Sequence, residues 1–85
     1  MLTIKVLGPG CANCERVHQV VVNALQSAGV EEAAIEKVTD RAEYPKYGLL
    51  FTPGLVVNEK LVCAGRIPSQ AEVTTWIINA LAAAG

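Results

Sequence analysis

At 85 residues the chain is long enough for one domain and too short for two. Seven Lys and Arg stand against 8 Asp and Glu, a net charge of -1, and aromatic residues make up 5% of the chain. That balance supplies neither the basic surface that nucleic acid or an anionic membrane would attract nor a platform for stacking bases.

Leu2 to Leu7 alternates with a period of two, so Leu2, Ile4 and Val6 share one face and Thr3, Lys5 and Leu7 the other. Gly8-Pro9-Gly10 ends this first strand. A helix is expected from about Cys11 to Ala28, with Cys14, Val17, Val21, Ala24, Leu25 and Ala28 as its buried stripe. Gly29 comes next as a left-handed cap. Ala33 to Val38 reads as a weaker second strand. Asp40-Arg41-Ala42-Glu43 resembles a capping box, but Pro45 limits the helix it would open to a short, irregular turn ending near Gly48. Gly54 to Val57 and Lys60 to Ala64 form a hairpin closed by Asn58-Glu59. Ser69-Gln70-Ala71-Glu72 is a capping box that opens a last helix, with Val73, Trp76, Ile77, Ala80, Leu81 and Ala84 on one face. The order is β-α-β-α-β-β-α in one domain over residues 1–85.

Cys11-Ala12-Asn13-Cys14 carries the chemistry. The pair falls where a strand ends and a helix begins, and there the unpaired N–H groups and the helix dipole favour a thiolate. Two thiols at this spacing can close a redox-active ring or share a metal ion. His18, four residues beyond Cys14, falls on the same side of the helix and completes a conceivable Cys-x-x-Cys-x-x-x-His ligand set, although no fourth ligand is evident. The reading of His18 as a solvated helix residue is preferred. Three cysteines are an odd number, unlike the even set of a stapled secreted domain. The N-terminus lacks a signal-peptide pattern, and the apolar C-terminal stretch is broken by Thr74, Thr75 and Asn79. A reducing, cytoplasmic setting is therefore expected. Cys63 reads as a small apolar strand residue, Arg66 as a loop-anchoring charge and Trp76 as a packing residue.

Three segments carry a family resemblance: Gly8-Pro9-Gly10-Cys11-Ala12-Asn13-Cys14, Tyr47 to Val57 with Thr52-Pro53, and Gly65-Arg66-Ile67-Pro68-Ser69. In order and spacing the chain resembles the thioredoxin fold, and within it the small glutaredoxin-like proteins called redox-active disulfide protein 2. The resemblance implies an α/β thioredoxin fold with a four-stranded mixed sheet flanked by helices. It also implies a thiol–disulfide oxidoreductase acting on protein disulfides through a Cys11–Cys14 disulfide. Cys11 would be the nucleophile and Cys14 the resolving thiol, and the burial pattern agrees, because Cys14 points back toward the helix stripe. The Thr52-Pro53 bond would be cis and lie beside the pair, with Thr52, Pro53, Pro9 and Gly10 contacting substrate. The expected protein is a monomer that needs an external reductant and neither a dissociable cofactor nor a metal. Gly10 and Ala12-Asn13 replace the Trp and Gly-Pro of thioredoxins, and the first strand has no acidic residue to act as their buried proton acceptor. The alternative is a metal-binding or metal-delivery module.

Overall fold

The computed structural model describes residues 2–10 and 12–84. The elements follow the expected order: β1 (Leu2–Leu7), α1 (Ala12–Ser27), β2 (Ala33–Val38), a 3-10 helix (Arg41–Tyr47), β3 (Gly54–Val57), β4 (Lys60–Ala64) and α2 (Gln70–Ala84). They form a four-stranded sheet in the order β2-β1-β3-β4. β1 runs parallel to β2 and antiparallel to β3, and β3 is antiparallel to β4. This is the mixed sheet of a thioredoxin fold. β1 is an inner strand, so its two faces pack against different layers.

Leu2, Ile4 and Val6 pack with Val17, Val21, Ala24 and Leu25 of α1 and with Val73 and Ile77 of α2. Leu7 joins Tyr44, Leu49 and Val56 in a second, smaller cluster under the 3-10 helix. The period-two split of β1 thus becomes two cores on opposite faces. Lys5, the only charge in β1, reaches the Tyr47 hydroxyl at 2.7 Å and Glu59 at 2.9 Å. The Tyr47 hydroxyl, with Glu59 beside it, holds the Lys5 ammonium well above its usual range.

The ends of the elements follow local chemistry. Gly29, at φ 70°, closes α1, with Val30 N–H donating to the Leu25 carbonyl at 3.0 Å. Asn58 and Glu59 both take positive φ, as a two-residue hairpin turn requires. The Ser69 hydroxyl accepts from Glu72 N–H, and the Glu72 carboxylate accepts from Ser69 N–H, both at 3.1 Å. The capping box is therefore complete. Its earlier counterpart is half made. The Asp40 carboxylate accepts from Ala42 N–H at 3.0 Å, but Glu43 turns to Lys46 instead of back to the cap. Leu81 departs from the expected buried face of α2. It is 42% exposed, because the core beneath α2 is filled at Val73 and Ile77 and thins toward the C-terminus. The side chain of Ala84, expected on the same face, lies outside the described residues.

Candidate active site

Cys14 is the third residue of α1, in the turn where the N–H groups have no partner within the helix. Its side chain is 5% exposed. It faces the end of β1 so closely that a Cβ placed on Gly8 would lie 2.2 Å from Sγ. The same Cβ would be 4.0 Å from the Pro53 Cα. The strand end, the first turn of the helix and the Pro53 loop therefore meet around this sulfur. Cys11 lies outside the described residues, and with it the expected nucleophile and the expected Cys11–Cys14 disulfide.

The Thr52–Pro53 peptide bond is cis. Pro53 is buried, and its carbonyl accepts from Gly65 N–H at 2.9 Å, which joins the loop to the segment leading into α2. Arg66 in that segment forms a two-pronged ion pair with Glu72, at 3.0 and 2.7 Å. The Arg66 guanidinium, aided by Ser69 N–H, draws the Glu72 carboxyl down to about 2. Arg66 thus anchors its loop to α2. Thr52 is exposed, as are Pro9 and Gly10, and Gly10 takes φ 87°.

Sequence reasoning passed over two residues beside this group. Leu50 is 85% exposed and Phe51 71%, and both immediately precede Thr52-Pro53. Phe51 hangs over Gly65, where an added Cβ would come within 3.2 Å of the Phe51 Cβ. Two large apolar residues outside any periodic element, just before a proline, were the available signal.

The other candidates stand apart. Cys63 is buried in the main core, with Sγ–H directed at the Arg66 carbonyl at 3.7 Å. Burial pushes its thiol upward. His18 is half-buried on α1. Among the described residues, no three His, Cys, Asp or Glu side chains group as a metal site. A groove of about 490 Å³ lies between α2 and the β3–β4 hairpin, lined by Val57, Trp76 and Ala80 among others. It borders the Asn58 turn, which pairs with Thr3 at the end of β1 remote from Gly8 and Cys14.

No helix is long and apolar enough to cross a membrane among the described residues. The sequence model of the thioredoxin domain family matches residues 2–78. A protein named thioredoxin from Methanothermobacter thermautotrophicus is 33% identical over 73 residues, which span 86% of this chain and 94% of that protein. One of the same name from Methanocaldococcus jannaschii is 34% identical over 73 residues, 86% of this chain and 83% of that protein. With a strand–turn–helix that buries a cysteine beside a proline loop, and similarity of this extent to two thioredoxins, the chain belongs to the thioredoxin domain family.

Proposed function

We propose that the protein is a thiol–disulfide oxidoreductase that exchanges electrons with protein disulfides through Cys11 and Cys14. The observation that carries this reading is the burial of Cys14 against Gly8 and beside Pro53, at the start of α1, in a chain of the thioredoxin family. The Cys11 thiolate attacks one sulfur of the substrate disulfide, and the other sulfur leaves as a thiolate that takes a proton from water. Cys14 then loses its proton and attacks the Cys11 sulfur. The substrate's second thiolate departs, and the two electrons gained by the substrate leave a Cys11–Cys14 disulfide behind. A dithiol reductant restores the pair, so no dissociable cofactor is required.

The exposed strip Leu50-Phe51-Thr52 would hold the substrate chain. Thr52 would offer its exposed backbone, and the two apolar side chains offer surface that gains by being covered. Pro9 and Gly10 would border the same approach from the β1–α1 turn. The working form would be a cytoplasmic monomer.

Reduction of insulin disulfides by dithiothreitol, with and without the protein, tests the reading. Catalysis should vanish in Cys11→Ser. Cys14→Ser should accumulate reductant-sensitive mixed disulfides with protein targets, and the double variant should accumulate none. Adducts that persist in the double variant, where Cys63 is the one thiol left, would transfer the nucleophile's role to Cys63. Stoichiometric metal in protein purified under reducing conditions, with no disulfide reduction, would favour the metal-delivery alternative.

A further inference from the structure

Lys5 is the one cation on the inner strand β1, and its side chain is 16% exposed. It lies on the face that carries Leu7, toward the 3-10 helix. Its ammonium donates to the Tyr47 hydroxyl at 2.7 Å and to Glu59 Oε1 at 2.9 Å, and it stands 5.1 Å from the centre of the Tyr47 ring. These partners offset the cost of holding a charge this far from water. They also sit on either side of the exposed strip. Tyr47 closes the 3-10 helix, and Gly48 and Leu49 lead from it into Leu50. Glu59 follows β3, in the turn of the hairpin into which the strip leads. The 3-10 helix rests on the sheet through Tyr44 and Leu49 in the smaller core. Beside that contact is a cleft of about 300 Å³, lined by Lys5, Tyr47, Val38, Thr39 and Glu43 among others. Packing therefore leaves the helix unsupported on that side, and there the Lys5–Tyr47 bond ties it to β1.

We propose that Lys5 is a positioning residue for substrate docking: by holding the Tyr47 hydroxyl it fixes the 3-10 helix against β1, and so places the Leu50-Phe51-Thr52 strip for a chain presented to Cys11. This deepens the oxidoreductase reading above and rests on it. β1 is the right strand for such a tie, because it runs on through Leu7 and Gly8 toward the Cys11–Cys14 pair. One strand thus leads to the thiols at its end and, from its middle, fixes the segment that would seat the substrate. The path from Tyr47 to the strip is short and stiff. Gly48 N–H donates to the Pro45 carbonyl and Leu49 N–H to the Tyr44 carbonyl, both at 3.1 Å. Leu49 is buried over Gly54, where an added Cβ would meet its Cδ1 at 2.5 Å. A shift of Tyr47 is therefore passed on to Leu50 and not absorbed between them. A hydrogen bond from a charged donor fixes direction as well as distance, which an apolar side chain in place of Lys5 would not do. Glu59, 63% exposed, holds the ammonium from the solvent side. Lys5 acts through Tyr47 and not on the substrate.

The test uses the full-length reduced protein with two substrates, insulin and the aromatic disulfide 5,5′-dithiobis(2-nitrobenzoate). Lys5→Met and Tyr47→Phe should each raise KM for insulin about fivefold with kcat unchanged, the loss of one hydrogen bond that places the docking strip. Tyr47→Phe keeps the ring and removes the hydroxyl alone, so it is the milder probe of the bond itself. The double variant should be no worse than the singles, because all three lack the same interaction. Lys5→Arg, which keeps a donor cation, should recover most of the lost affinity. The rate with the aromatic disulfide, too small to cover the strip, should be the same throughout. Amide hydrogen exchange, read by mass spectrometry, should quicken over residues 48–52 in Lys5→Met and Tyr47→Phe, a readout that requires no activity. Unchanged KM for insulin in both variants, unchanged exchange over that segment, or an equal loss with both disulfides would overturn the proposal and leave the oxidoreductase reading standing. Absence of insulin reduction by the unaltered protein would overturn both.

Discussion

Gly8 leaves the space that the sulfur of Cys14 fills: a side-chain carbon at that position would lie 2.2 Å from Sγ. The absence of a side chain at the end of β1 is thus what lets the first turn of α1 close onto the sheet. Gly8→Ala should force the helix start and strand end apart, at a cost of about 1–3 kcal/mol. Urea unfolding should show that loss, and insulin reduction should fall with it. Unchanged stability would mean that the Cys14 side chain can turn away.

Phe51→Ser should separate large substrates from small ones. The side chain is 71% exposed and takes no part in the core, so folding should be unaffected. If a protein substrate covers this ring, losing it should raise KM about tenfold for a protein disulfide, corresponding to about 1.4 kcal/mol of lost apolar contact. Turnover of a small aromatic disulfide should not change. Equal effects on both substrates would remove Phe51 from the docking strip.

Glu72 provides a pH signature. Its carboxyl is drawn down to about 2 by Arg66 and the Ser69 N–H, below the value it has in an unfolded chain. A group depressed on folding stabilises the native state above its unfolded pKa and loses that contribution as pH falls toward its folded value. Glu72→Gln should therefore be less stable than the unaltered protein at pH 6. The gap should close between about pH 4.5 and pH 2. Denaturant titrations across that range check the sign, and a constant gap would contradict it.

Cys63 should be chemically silent in the native state. It is 7% exposed, and burial raises its thiol above the usual range. Iodoacetamide at pH 8, read by peptide mass spectrometry, should label Cys63 only after denaturant is added. Labelling at the rate of an unfolded peptide would show that β4 opens readily.

The elements legible from sequence were those whose signals are local. The alternation of β1, the stripe from Cys14 to Leu25, Gly29 and the Ser69–Glu72 box each depend on residues a few positions apart, and each is realised. The ion pair between Glu15 and Lys37 could not be read this way. It exists only because β2 lies parallel to β1 in one register, a relation set by chain crossover. Leu81 misled for the opposite reason. Its periodicity is sound, but helical spacing does not reveal how far along α2 the sheet still provides a partner. Glu43 shows that an acceptable cap sequence yields to a nearby cation when Pro45 shortens the helix it would serve.

The strip before Pro53 is held at both ends. Leu49 is buried in the smaller core and packs over Gly54, and the Pro53 carbonyl is tied to Gly65. Only residues 50, 51 and 52 lie between these moorings, and all three are exposed. They form an exchangeable cassette. If the strip meets substrate as proposed, substitutions within it would redraw which chains the molecule greets while the sheet and both cores stay as they are. On that reading, partner choice and fold would diverge independently in descendants of one sequence.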